Sequence, residues 1–484
     1  MRQLVPASLL WAISWFGEMI LISFRLGLTK ILHSETLSRI TKPGYVLVIA
    51  PRQSIVMEWM SDLRGLLTAM GFSMNFVTGS GVLSPAKSKE IRLTTSIHLL
   101  AALSEEKDST QSYPGLELVI LENLGQLDTH YELAVSSLRR VVQTQPTRIV
   151  GFSASLNDSA DLATWLDVAP STFHSFKPSD RDQSLKVVTH TFAIPHSPSL
   201  YKAMTRPASA AIVSVSHGPA IVFVPSRAQC SSVALDLIVN RSLETGSETG
   251  YLPSDVSAES LQPYINRLQY RGLSDFISKG VGFYSHSGMH KQDRATILEL
   301  YSVGIVRVLV VAREACWTLP VRAAVVVVMG TQYFTIHNDG AERRLRNYTL
   351  EELVHMQGRA VRHGEMGHFH LFCQAEDKDT YMRFLEGGLP LESRLLGSDQ
   401  LQQWYKHHRD RGHIRNKQEG VQALSWTFLA RRAASNPTYY DNKGTRDECL
   451  SRIVDELEET IVGHSQGRPS AIGAAATSAA AEQR

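Results

Sequence analysis

Apolar residues along this chain alternate between short continuous runs and longer stretches with helical spacing. Met19–Ile22, Tyr45–Ala50, Met74–Thr78, Glu117–Leu121 and Arg148–Ser153 are rich in Val, Ile and Leu and predict buried parallel strands. Amphipathic segments such as Ser54–Met70 and Glu132–Gln145 lie between them and predict helices. The same alternation starts again at Ala220–Pro225 and continues through Gly280–Tyr284, Val306–Ala312, Ala324–Met329 and His368–Cys373. Two successive α/β domains with parallel sheets are the expected architecture. Ligands in such sheets sit beyond the carboxyl ends of the strands, so the residues after each run are the ones to inspect.

The Ser-, Pro- and His-rich stretch 181–219 is expected to cross between the domains, and 242–255 to be a polar surface loop in the second. After Leu389-Pro390 two further helices are expected, Asn416–Ala434 and Arg446–Val462, the latter with apolar Leu450, Ile453, Val454, Leu457 and Ile461. They read as a small helical module that looks cut short. From Gly463 the tail is Ser, Ala and Gly, with little to bury, and reads as disordered. The expected divisions are therefore 1–180, 181–219, 220–390, 391–462 and 463–484.

Composition narrows this only slightly. Hydrophobic residues at 43% and charged residues at 20% describe ordinary globular protein, and a net charge of +2 excludes a strongly basic carrier. Any nucleic-acid contact must come from local positive charge. Cys230, Cys316, Cys373 and Cys449 stand far apart, which argues against a zinc site or a disulfide scaffold and fits a reducing compartment. Residues 5–24 are almost wholly apolar and formally resemble a membrane anchor, but Gly17-Glu18 divides them into a helix-like and a strand-like half. A buried strand region is the preferred reading, and no metal site is expected.

The most informative stretch is Glu351–Arg362. Leu353, Met356 and Ala360 fall at helical spacing, and the helix is expected to end near His363-Gly364. Arg359 and Arg362, three apart, would project from one face, where two guanidinium groups suit a phosphate gaining charge in a transition state. The plain alternative is a solvated basic face.

Order decides between these. Two α/β domains, then Gln357-Gly-Arg-Ala-Val-Arg362, then Asn416–Arg432 and Asn436-Pro-Thr-Tyr-Tyr440, resemble the Ski-like superfamily-two RNA helicases. Within that family the likeness is strongest to a cassette of the large spliceosomal helicase that unwinds paired small nuclear RNAs, as Phe192–His196 and Ala203–Pro207 suggest. The related helicase of the activating signal cointegrator complex is the alternative. The resemblance implies two RecA-like domains followed by a winged-helix-like module, use of ATP and Mg2+, backbone contacts to RNA, ribonucleoprotein partners and a nuclear location. It also implies that Thr331–Tyr348, with Tyr333, Phe334 and Arg343, Arg344 and Arg346, is a strand-separating hairpin, whose aromatic tip would stack on a base pair or pack on the sheet.

Departures from the family pattern fall on the nucleotide motifs. Its phosphate loop, Gly-x-x-x-x-Gly-Lys-Thr, aligns with Ser23–Ile31, where Gly27 and Lys30 remain as candidate cofactor-binding residues. The glycine before the lysine has become Thr29, and the magnesium-binding hydroxyl has become Ile31. The second motif, Asp-Glu-x-His, falls at Leu121–Leu124. Leu121 replaces the magnesium-ordering aspartate, while Glu122 keeps the water-activating position. The fifth motif reads Cys316-Trp-Thr-Leu-Pro320, with the family's Gly and Asn changed, and His355 and Val361 replace a Gln and a Gly beside the arginines.

Other positions persist. Ser153-Ala-Ser155 matches the coupling motif, Pro51, Arg52, Thr94 and Thr95 lie where the first domain grips a sugar–phosphate backbone, and Ser226, Arg227 and His286 lie where the second does. Each alone also reads as an ordinary loop or strand end. The implied catalytic set is Glu122, Arg359 and Arg362. Because leucine and isoleucine stand at both magnesium-binding positions, the resemblance implies a catalytically impaired cassette serving as scaffold or regulator; the alternative is an active ATP-dependent helicase that unwinds duplex RNA.

Overall fold

Thirteen parallel or hairpin strands among the described residues build two parallel sheets and one hairpin. The computed structural model describes residues 43–69, 71–105, 113–180, 184–215, 218–336, 343–360 and 365–465. The expected strand at Met19–Ile22, the phosphate-loop residues Gly27, Thr29, Lys30 and Ile31, the apolar stretch 5–24, Val361, Arg362 and the tail from 466 lie outside them.

The first sheet contains β1 (Gly44–Ala50), β2 (Ser73–Phe76), β3 (Lys89–Thr95), β4 (Leu116–Leu121) and β5 (Arg148–Gly151). Their spatial order is β2-β3-β1-β4-β5, every pair parallel. β1 is buried along its whole length, as its run of Tyr, Val, Leu and Ile requires of a strand covered on both faces. Helices α1 (Gln53–Ala69), α2 (Ser96–Glu105), α3 (Thr129–Val142) and α4 (Ser159–Trp165) complete this part. α3 starts where Asp128 accepts the Tyr131 amide at 2.7 Å, and Arg139 and Arg140 lie in its last turn, charges that suit the two ends of a helix dipole.

β3 had no strand signal, because Lys89, Glu90 and Arg92 interrupt its apolar residues. Arg92 is nevertheless buried. Its guanidinium lies 4.0 Å from the Tyr45 ring centroid, donates to Glu90 at 2.9 Å and reaches the carbonyls of Val82 and Ser84. A charge with every donor engaged can sit in a core position.

The second sheet has the order β6-β13-β10-β7-β9-β8 and is again parallel throughout. Its strands are β6 (Leu185–Phe192), β7 (Ala220–Val224), β8 (Val281–Tyr284), β9 (Val308–Ala312), β10 (Val325–Met329) and β13 (Gly367–Gln374). β6 lies within the stretch expected only to cross between domains. Its Val, Thr and Phe residues pair with β13, and helix α5 (Pro198–Ser214) follows it behind a Ser197 cap. Helix α6 (Arg227–Thr245) follows β7 and ends at Gly246, whose φ of 67° closes the helix in a left-handed turn. Then come α7 (Ala258–Ile265), α8 (Leu273–Ile277) and α9 (Lys291–Ser302).

A separate antiparallel pair, β11 (Gln332–Ile336) and β12 (Arg343–Asn347), forms the expected hairpin. Helix α10 (Leu350–Gly358) begins with a capping box between Thr349 and Glu352. It stops sooner than its apolar spacing predicts, with Arg359 as its C-cap residue. Helix α11 (Lys378–Gly387) closes this half.

The C-terminal module has four helices: α12 (Asp399–Asp410), α13 (Lys417–Leu424), α14 (Phe428–Ser435) and α15 (Arg446–Ser465). The single helix expected over 416–434 is two. Thr427 accepts the Ala430 amide at 3.2 Å and donates to the Leu424 carbonyl at 2.6 Å, so the chain restarts at Phe428. α12 carried too little apolar residue to announce itself, yet it buries Leu401, Trp404 and Tyr405.

The described chain divides into two compact units. One holds residues 176–389, with the second sheet; the other holds the first sheet together with residues from 390 onward. Within the latter, α14 is gripped at both ends by acids of the α/β part. Glu132, wholly buried on α3, accepts the Leu429 amide and the Ser393 hydroxyl, each at 2.7 Å. Asp161 on α4 pairs with Arg431 and Arg432, and Arg432 also meets Glu392 and Asp158. The Trp165 indole donates to the Trp426 carbonyl at 2.8 Å. Leu133 of α3 belongs to the same core cluster as Leu401, Tyr405, Leu429 and Leu450.

Candidate functional site

In the first sheet, the candidate residues gather at the C-terminal ends of neighbouring strands. Pro51 and Arg52 follow β1, Thr94 and Thr95 end β3, Glu122 follows β4, and Ser153 and Ser155 follow β5. This is the edge where a doubly wound sheet binds ligands.

The end of β4 is packed closely. The Glu122 amide donates to the Ile49 carbonyl at 2.9 Å, and the Tyr131 hydroxyl lies 2.7 Å from the Glu122 carbonyl. Leu121 is fully buried and offers no oxygen. The Glu122 side chain is also buried, and its Oε2 has no hydrogen-bond partner. Burial pushes its carboxyl up to about 8, which disfavours the ionised form. Asn123 then turns the chain at a φ of 51°, a conformation asparagine tolerates better than most residues.

Arg52 is exposed and donates from Nε to Gln126 Oε1 at 3.0 Å, joining the end of β1 to the turn after β4. The Ser153 hydroxyl is buried without a partner, and a Cβ on Gly125 would come within 3.3 Å of it. Thr94 and Thr95 are buried, and their hydroxyls are occupied: Thr94 donates to Val77 at 3.0 Å, and Thr95 meets His98 Nδ1 at 2.9 Å.

In the second sheet, Ser226 and Arg227 follow β7 and are exposed, and His286 follows β8 and is exposed. Arg227 lies against Gly288, where a Cβ would collide with its guanidinium. The loop carrying His286 is held from two sides. Ser285 and Ser287 donate to Glu314 Oε1 at 2.8 and 3.2 Å, and Arg294 donates to the His286 carbonyl.

Arg359 is 4% exposed, and its Nη2 donates to the Cys316 carbonyl at 3.3 Å. It is a buried cap residue of α10; its expected companion, Arg362, lies outside the described residues. Two residues absent from the expected set stand out after β9. Arg313 and Glu314 open the 3-10 turn Arg313–Trp317. They are consecutive charges directly after a buried strand, which is the signal that would have found them.

Mg2+ finds a poor fit here. Among the described residues no group of three or more His, Cys, Asp or Glu side chains stands together to hold a metal ion. At the end of β4 a leucine stands where the family's motif has an aspartate, and the retained Glu122 is buried. Among the described residues, no helix is long and apolar enough to cross a membrane.

Comparison with known proteins agrees with this arrangement. A family model described as a winged helix-turn-helix domain matches residues 399–465. The chain is 30% identical over 429 residues to the DExH-box ATP-dependent RNA helicase DExH12 of Arabidopsis thaliana, covering 86% of this chain and 19% of that protein. It is 32% identical over 341 residues to the U5 small nuclear ribonucleoprotein 200 kDa helicase of Homo sapiens, 69% of this chain and 16% of that one. It is 29% identical over 438 residues, 86% of its length, to an activating signal cointegrator 1 complex subunit 3-like protein of Dictyostelium discoideum, of which it covers 19%. The chain thus spans at most about a fifth of these relatives.

Proposed function

We propose that this chain, which belongs to the Ski-like superfamily-two RNA helicase family, holds RNA as a non-hydrolysing cassette in a nuclear ribonucleoprotein assembly of the splicing type. The observation that carries the reading is the end of β4. A water-activating base must be ionised to take a proton, and burial of Glu122 raises its carboxyl to about 8, which disfavours the ionised form. Leu121 supplies no ligand for the Mg2+ that nucleotide hydrolysis in the family would need.

The RNA-holding half of the reading rests on residues at the strand ends, of which Arg52, Ser226, Arg227 and His286 are exposed. Arg52, Arg227 and His286 would meet phosphates, and Ser155 and Ser226 would meet sugar and phosphate oxygens, while Pro51, Thr94, Thr95 and Ser153 would shape the strand ends beside them. None of these groups reads base identity, so the binding is expected to be indifferent to sequence. Lys30, Gly27 and Arg362 remain candidates for weak nucleotide binding.

Steady-state nucleotide turnover in the presence of RNA tests the reading. Hydrolysis at background, unchanged in Glu122→Gln, is the expected result. Turnover well above background that disappears in Glu122→Gln would make the chain an active helicase and overturn it.

A further inference from the structure

The turn after β9 touches α10 along one face. Arg313 pairs with Glu352, the Trp317 ring lies 4.5 Å from the His355 ring, and the Cys316 carbonyl accepts Arg359. Positions 352, 355 and 359 are spaced three and four apart, a single stripe of a helix. The turn and the helix therefore form one packed body.

Arg313 extends this body to the hairpin. Its guanidinium stands 3.6 Å from the Tyr333 ring centroid and 5.7 Å from that of Tyr348, and the two rings are 6.0 Å apart. Tyr333 belongs to β11. Tyr348, which is buried, closes the foot of the hairpin by donating its amide to the Thr331 carbonyl at 2.7 Å. Glu352 divides its two oxygens: one takes Arg313, and the other accepts the Thr349 amide at 2.9 Å, at the first turn of α10.

The hairpin's two faces consequently differ. Tyr333 is spent as an anchor on one. Phe334 and its cross-strand partner Leu345 remain exposed on the other, where His196 meets Phe334 edge-on at 5.0 Å.

We propose that Arg313 is a positioning residue that locks the hairpin to α10, so that a nucleic acid held at the hairpin biases the turn and helix behind it. The lock has two parts, an ion pair to Glu352 and a flat cation stacked on Tyr333. Lysine supplies the first without the second, because its ammonium is a point charge and not a plate. Only the nucleic-acid readout below rests on the RNA-holding reading.

The test uses the full chain. Hydrogen exchange of amides 332–336 and 343–347 is expected to quicken by roughly tenfold in Arg313→Ala and in Arg313→Lys, and to stay near wild type in Tyr333→Phe, which keeps the ring. Hairpin exchange in Arg313→Ala within about twofold of wild type would overturn the lock. Tyr333→Phe behaving like Arg313→Ala would do the same. In the second arm, a duplex RNA with a single-stranded tail is compared with the tail alone by fluorescence anisotropy. Arg313→Ala is expected to lose about tenfold in affinity for the tailed duplex and far less for the tail, whereas equal loss on both would count against a positioning role. If the wild-type chain binds neither RNA, the RNA-holding reading fails, and the exchange arm alone still decides whether Arg313 locks the hairpin.

Discussion

Glu132 Oε1 accepts the backbone amide of Leu429 at 2.7 Å, so a carboxyl from the helix beside the first sheet caps a helix of the C-terminal module. Its other oxygen accepts Ser393. Both groups it serves are buried, and the Ser393 hydroxyl in turn accepts the Leu395 amide at 3.2 Å. Glu132→Ala is expected to destabilise the unit by about 2–4 kcal/mol, since two buried donors lose their acceptor and a cavity opens. Glu132→Gln keeps the acceptor oxygen for Leu429 and should cost about 1 kcal/mol or less. Urea denaturation midpoints of the two variants would show the ordering, and equal costs would deny Glu132 its capping role.

Arg432 joins the same two parts through Asp161 and Glu392. Its hydrogen bonds to Glu392 hold its pKa above the usual arginine range. Removing the cation takes from Glu392 its ion-pair partner and leaves Asp161 with Arg431 alone. Arg432→Ala is expected to cost about 3–5 kcal/mol, and Arg432→Met nearly as much, because restoring volume does not restore the charge. Thermal unfolding would check this, with recovery in Arg432→Met as the contrary outcome.

Glu122 makes stability depend on pH. Burial raises its carboxyl from the ordinary 4.5 to about 8 in the folded chain. Below pH 4.5 both states hold the proton, and the group contributes no slope. Between 4.5 and 8 the unfolded chain is ionised while the folded chain is not, so stability falls as pH rises, by at most about 1.4 kcal/mol per unit. Above 8 both are ionised and the loss is complete. Glu122→Gln is expected to reduce the slope across this window, leaving the part that the buried Glu132, raised to about 7, contributes, and to make the variant more stable relative to wild type at about pH 8 than at about pH 5. Denaturation series at both pH values would reveal it, and parallel pH profiles would refute it.

The two threonines at the end of β3 separate structure from binding. The Thr94 hydroxyl is consumed by the Val77 carbonyl. Thr94→Val should lower stability by about 1 kcal/mol and leave RNA affinity near wild type. Arg52→Ala should do the reverse, weakening RNA binding whatever the sequence and lowering the salt dependence by about one phosphate contact. Anisotropy titrations across a salt series would distinguish them; an unchanged slope in Arg52→Ala would remove Arg52 from the RNA contacts.

Gly367 opens β13 against the carbonyl of Ala360, into which any Cβ would project. A backbone carbonyl cannot swing aside as a side chain does. Gly367→Ala is therefore expected to cost about 1–3 kcal/mol, a typical overpacking penalty, and to disturb the end of α10. Exchange of the amides at 359 and 360 would report the disturbance, and a neutral substitution would place the clash elsewhere.

Strand and helix order was legible in the chain because a continuous apolar run marks a strand of a covered parallel sheet, and nine such runs became nine strands of the described sheets, although the edge strands β2 and β5 are mostly not buried. What escaped were elements whose apolar content was diluted: β3 behind Arg92, β6 among Ser and His, and α12 with its many polar residues. The absence of a carboxylate at Leu121 was equally visible, since a side chain without oxygen cannot bind magnesium in any fold. Tertiary structure alone decided which charges are spent internally. Arg359 was expected to face a phosphate and is buried against Cys316, while Arg313, which no spacing marked, stacks on a tyrosine that meets it only once the hairpin folds back. Periodicity records which face of an element turns inward, because burial must follow the repeat of the backbone. It carries no record of which distant group meets a charge there, because that meeting depends on where separate elements come to rest.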